Sequence, residues 1–203
     1  MLDSQREKLF NTRKQYISIG ITTGGVVYDI TPVMWERTAS AFNMKVPDFY
    51  IAPEDLLDEE IMNRICSLVV QGVYIYAPLD DYSFVARFAE LQDLHIRQAE
   101  RLKNVDFLAD LVDMSMIFLE GATLPDLDII WQIKTSGRGF LPYRQVGLYD
   151  CNISRAPDES LMKESFSEFL VWSLPENMER DKELWSKVCS GTKRHFEAKP
   201  KKN

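Results

Sequence analysis

The chain has 203 residues, 45% of them hydrophobic and 27% charged, with a formal net charge of −7. That composition supports one sizeable globular core, and its acidic balance disfavours general binding to nucleic-acid phosphates. No apolar run reaches the ~18 residues of a membrane span, and Cys66, Cys151 and Cys189 are too few and too odd for a disulfide framework. The charged start, MLDSQREKLFNTRKQY, lacks the apolar segment of a signal peptide, so the expected location is cytoplasmic, with reduced thiols.

In chain order, Tyr16 to Thr31 (YISIGITTGGVVYDIT) has two β-rich runs around Thr23-Gly24-Gly25 and predicts a hairpin. Pro32 to Met44 places Trp35, Ala39 and Phe42 at helical spacing. Residues 1–45 are therefore expected to form an N-terminal cap of hairpin and helix. The acidic run Pro53 to Ile65 predicts a short helix, with Pro53 in its first turn and carboxylates at its N-terminal dipole. Three later segments, Asp80 to Phe88, Asn104 to Leu111 and Pro125 to Ile133, carry apolar residues at spacings of 3 or 4. Each follows an Asp, Asn or Pro that can open a short helical turn. Ser136 to Phe140 (SGRGF) reads as an exposed loop. Asp158 to Leu174 is open to two readings, a capping helix or a strand through Phe166, Phe169 and Val171. Residues 176–203 read as a closing helix (Asn177 to Cys189) and a basic tail that frays beyond Gly191.

Between these segments one apolar spacing recurs, at positions 1, 4, 6, 9 and 11 of an eleven-residue unit. Ile65, Leu68, Val70, Val73 and Ile75 have it, and so do Met114, Ile117, Leu119, Ala122 and Leu124. Tyr143, Val146, Leu148, Cys151 and Ile153 repeat it, and Leu91, Leu94, Ile96 and Ala99 match with the last residue slipped to Leu102. Val46, Phe49, Ile51 and Leu56 form a degenerate earlier copy, with Glu54 at the ninth place. Positions 4 and 6 share one face of a short strand. Position 9 turns the chain through a tight corner, and position 11 returns to the same core. One unit cannot bury its apolar face alone, whereas stacked neighbours bury a continuous one. The alternative is an ordinary α/β sheet, in which short alternating runs also occur.

The spacing resembles the leucine-rich repeat, L-x-x-L-x-L-x-x-N/C-x-L with a period of ~20–29 residues. YRQVGLYDCNI (Tyr143 to Ile153) is the best single match, because it carries the rarer Cys at the ninth position. The resemblance implies an α/β solenoid over residues 46–175, short and divergent. Parallel strands would line its concave face, with short helices or turns on the convex face and a cap at each end. Members of this family are binding scaffolds more often than enzymes, so the expected function is protein–protein interaction through the concave face.

In that register positions 3, 5 and 7 point away from the core and are expected to face solvent. They supply the candidate partner-binding residues Val69, Gln71, Asp93, His95, Arg97, Met116, Phe118, Glu120, Gln145 and Tyr149, with Ser67 and Gly147 beside them. Phe118 is expected at the centre of the face, flanked by His95 and Gly147. Aromatic, Met and Arg side chains within a polar rim are what interfaces enrich. Against this stands the bland reading, in which single exposed apolar residues are normal and Arg97–Glu120 is a surface ion pair of little worth. The SGRGF loop and the acidic helix at 53–64 are the next candidate surfaces.

Catalytic signals are sparse. His95 and His195 are the only histidines; His195 falls in the expected tail, and His95 has no Cys or Ser partner at a spacing that argues for catalysis. The cysteines form no zinc pattern, and no phosphate-cradling glycine loop is present. No catalytic residue, metal or cofactor is expected. The partner is an unidentified protein, with no nucleic acid and no membrane. The chain is expected to be a monomer, with self-association through an end strand as an option. The rival readings are an enzyme with a His95-centred acid/base site on the repeat frame, and a self-assembling structural protein.

Overall fold

The computed structural model describes residues 16–23, 47–134 and 145–155, and the backbone of residues 168–172 and 195–197. The fold is mixed α/β, built on a parallel sheet. Its strands are β1 (Ile17–Ile21), β2 (Phe49–Ile51), β3 (Val70–Ile75), β4 (Asp93–Ile96), β5 (Met116–Glu120), β7 (Gln145–Tyr149), β9 (Glu168–Trp172) and β10 (His195–Glu197). They lie in the order β10-β9-β7-β5-β4-β3-β1-β2, and every pairing is parallel. Two short strands, β6 (Thr123–Leu124) and β8 (Asn152–Ile153), pair in parallel beside it.

The apolar spacing explains the first face of this sheet. Val73, Leu94, Ile117 and Val146 stand opposite one another across successive strands, and so do Ile75, Ile96, Leu119 and Leu148. All eight are buried, as are Ile19 and Ile21 on β1 and Ile51 on β2. Phe169 and Val171 continue the two rows in backbone register with Val146 and Leu148. The strand reading of the second half of 158–174 is thus the one observed.

Parallel neighbours require a crossover, and the return segments provide it over the first face. Each opens on the same local device, a side-chain oxygen accepting from the backbone N–H two residues on. Asp81 caps Ser83 at 2.8 Å, Asn104 caps Asp106 at 3.1 Å and Asp126 caps Asp128 at 3.1 Å. Short 3₁₀ turns at Ser83–Arg87 and Asp106–Leu108 and the helix α2 (Asp128–Gln132) follow. They bury Phe84, Val85, Leu108, Ile130 and Trp131 against the strand rows. The acidic run splits in two, a 3₁₀ turn at Pro53–Leu57 and the helix α1 (Glu59–Cys66). Asp58 divides them, because its carboxylate caps the N–H groups of Glu60 at 3.0 Å and Ile61 at 3.1 Å.

The corners after the strands explain the ninth and eleventh positions. The residue before the ninth takes a left-handed conformation in two units, Gly121 at φ 77° and Asp150 at φ 53°. Ala122 and Cys151 then fill the corner, and Leu124 and Ile153 drop into the core from β6 and β8. In the unit that starts at Leu91 the chain takes a 3₁₀ turn at Ala99–Arg101 instead. That extra turn is why its last apolar residue slips to Leu102.

Three expectations are corrected. The first copy is misplaced by five residues, because Ile65 lies in α1 and the chain becomes extended only at Val70. Val73 and Ile75, not Leu68 and Val70, therefore occupy positions 4 and 6 beside Leu94 and Ile96. The first run of the expected hairpin is an interior strand, since β1 pairs with β2 on one edge and β3 on the other. No edge of it remains for an antiparallel arm. Third, His195–Glu197, read as frayed tail, forms the parallel edge strand β10. The second hairpin run, the helices at 32–44 and 177–189, the loop at 136–140 and the first half of 158–174 lie outside the described residues.

Candidate functional site on the second face of the sheet

Positions 3, 5 and 7 do point to the face opposite the aliphatic rows, but the middle of that face is buried. Correcting the register of β3 places Tyr74 beside His95, then Phe118 and Gly147. Gly20 continues this row on β1 and Tyr50 on β2. A Cβ on Gly20 would lie 2.6 Å from the Tyr50 ring, so glycine here lets that ring lie across β1. The sequence overlooks Tyr50, Tyr74 and Tyr76. A signal for Tyr74 exists: Val73-Tyr74-Ile75 has the apolar flanks of Leu94-His95-Ile96 and Ile117-Phe118-Leu119.

The row stacks. The Tyr74 and His95 rings are 4.7 Å apart and nearly parallel at 15°, and His95 and Phe118 are 5.8 Å apart at 28°. Arg97 lies two residues after His95, just past the end of β4. Its guanidinium carbon sits 4.7 Å from the Phe118 centroid, within cation–π range, and its Nη1 donates to Glu120 Oε2 at 2.9 Å. Their side chains are 7% and 27% exposed, so this pair is not the solvated surface bridge of the bland reading.

The expectation that Phe118 and His95 face solvent is therefore corrected: each is 1% exposed. Arg97 and Gly147 are buried too. The register of β5 is nonetheless right, because Ile117 and Leu119 are also buried and point the other way. The strand is buried on both faces, which is the usual condition of a parallel sheet.

The remaining candidates border this row and are half-buried. Asp93, Met116 and Gln145 lie opposite one another on one side, and Glu120 and Tyr149 on the other. Asp93 Oδ1 accepts from Ser115 Oγ at 2.6 Å. Val69 and Gln71 are also half-buried but leave the assigned rows. Val69 precedes β3, and Gln71 sits where the β1–β3 register shifts.

Burial sets the electrostatics. Desolvation, with the Arg97 charge nearby, pushes the His95 imidazole down to about 3, so it is neutral at pH 7. Among the described residues neither of its ring nitrogens has a hydrogen-bond partner. A buried polar group left unpaired costs about 1–3 kcal/mol. No carboxylate or nucleophile thus engages His95 there, and so neutral an imidazole is a weak base. Burial, with Tyr50 beside it, pushes the Tyr76 hydroxyl up to about 12.

Cys151 sits in the corner that follows β7, as its ninth position predicts. It is buried, and its Sγ donates to the carbonyls of Leu119 at 3.3 Å and Tyr149 at 3.4 Å. Burial holds its thiol protonated, up to about 12. Among the described residues no group of three His, Cys, Asp or Glu side chains could hold a metal ion, and no helix is long and apolar enough to cross a membrane. Comparison with family models, with curated proteins and with solved structures finds no match to this chain.

Proposed function

We propose that this chain is a leucine-rich-repeat-like solenoid acting in the cytoplasm as a non-catalytic protein-binding module. The second face of the sheet is its concave side. The partner lies along the two half-buried rows, Asp93–Met116–Gln145 and Glu120–Tyr149. The buried row of Tyr74, His95 and Phe118 lies between them as a rigid support.

The observation that carries this reading is the repeated corner. The small ninth residues Ala122 and Cys151 fill equivalent places after β5 and β7, and Cys151 donates to the carbonyl at the end of the preceding strand. A thiol at the ninth position of that motif would be used in this way, joining one unit to the next. Parallel strands so joined hold their second-face side chains in straight rows, about 4.8 Å from strand to strand. A mixed row of Met, Tyr and carboxylates on a rigid frame suits protein recognition better than acid–base chemistry. The neutral His95, without a hydrogen-bond partner among the described residues, argues in the same direction.

The test is affinity capture with three forms of the chain: the parent, a Met116→Lys/Tyr149→Ala variant, and an Arg155→Ala control on the return side. The proposal expects proteins held by the parent and the control to be lost from the double variant. Equal retention by all three would overturn it.

A further inference from the structure

We draw no further inference here: the strongest candidate outside the strand face, the open cleft of about 740 Å³ between successive return segments, with the stacked rings of Tyr82 and Phe107 within it and Asp80, Asp81, Glu100 and Asp106 along its lining, is an acidic surface cluster, and nothing in the structure shows what fills it.

Discussion

The aliphatic rows of the first face and the middle row of the second are both buried, yet they are built from different materials. From β3 to β7 the paired rows of the first face carry branched aliphatic side chains, two per strand, with no polar atom to satisfy. The second carries Tyr74, His95 and Phe118 in one row and an Arg97–Glu120 pair beside it. Aliphatic rows stabilise through area removed from water and close packing. The aromatic row adds stacking and a cation over a ring, but it also holds two imidazole nitrogens without partners among the described residues. Alternation along a strand therefore tells which face a side chain takes, and leaves open whether that face is wet.

The largest effects should come from emptying either face. Phe118→Ala should destabilise by about 3–5 kcal/mol and Leu119→Ala by about 2–5 kcal/mol, both read as a lowered midpoint in a urea melt at unchanged slope. Near-equal losses would match the equal burial of the two residues. A loss below about 1 kcal/mol for Phe118→Ala alone would restore the open-face expectation.

A smaller effect separates the Arg97–Glu120 pair from a surface bridge. Removing one partner of a fully buried pair costs about 3–5 kcal/mol, and an exposed pair is worth about 0–1 kcal/mol. Glu120 is partly open, so Glu120→Gln should fall between these, at about 1–3 kcal/mol. It should depend little on salt, because Arg97 is shielded from the solvent ions. A loss that vanishes in molar salt would make the pair an exposed one.

The smallest change at neutral pH, and the sharpest with pH, belongs to His95. At pH 7, His95→Phe should leave stability within about 1 kcal/mol of the parent, since it removes polar atoms that have no partner among the described residues and keeps a ring in the stack. The folded-state pKa, about 3, lies below the ordinary histidine value of 6.5. The unfolded chain therefore binds a proton at 6.5 that the folded chain refuses until about 3. The contribution of neutral His95 is fully present above pH 6.5 and is lost as the pH falls from there to about 3, at up to about 1.4 kcal/mol per unit. The variant should lack this part of the acid sensitivity. Parallel pH profiles for the two proteins would contradict the assignment.

How much of this was legible follows from what each signal reports. Ile117, Leu119, Val146 and Leu148 were readable because positions 4 and 6 must both be apolar to stack. Cys151 was readable because a tight corner accepts few side chains. The start of the first unit was not, because Ile65, Leu68 and Val70 satisfy the same spacing by chance across the junction of α1 and β3. Only the pairing of Val73 with Leu94 breaks that tie, and pairing is a long-range fact. The burial of Phe118 was hidden for a similar reason. An aromatic at a fifth position looks alike whether it meets water, a partner or more of its own chain. β1 was misread because Ile17 to Ile21 is equally apolar as a hairpin arm or an interior strand, and its parallel partners lie about 30 and 50 residues away.

The most direct test of a middle row closed to water is the ring proton chemical shift of His95 followed by NMR from pH 8 to pH 4. Assignment comes from its loss in His95→Phe. If Tyr74 and Phe118 enclose a neutral imidazole, the shift should stay flat across that range while the protein remains folded. A titration centred near pH 6.5 in the folded protein would show a ring in contact with water, and the closed row would be wrong.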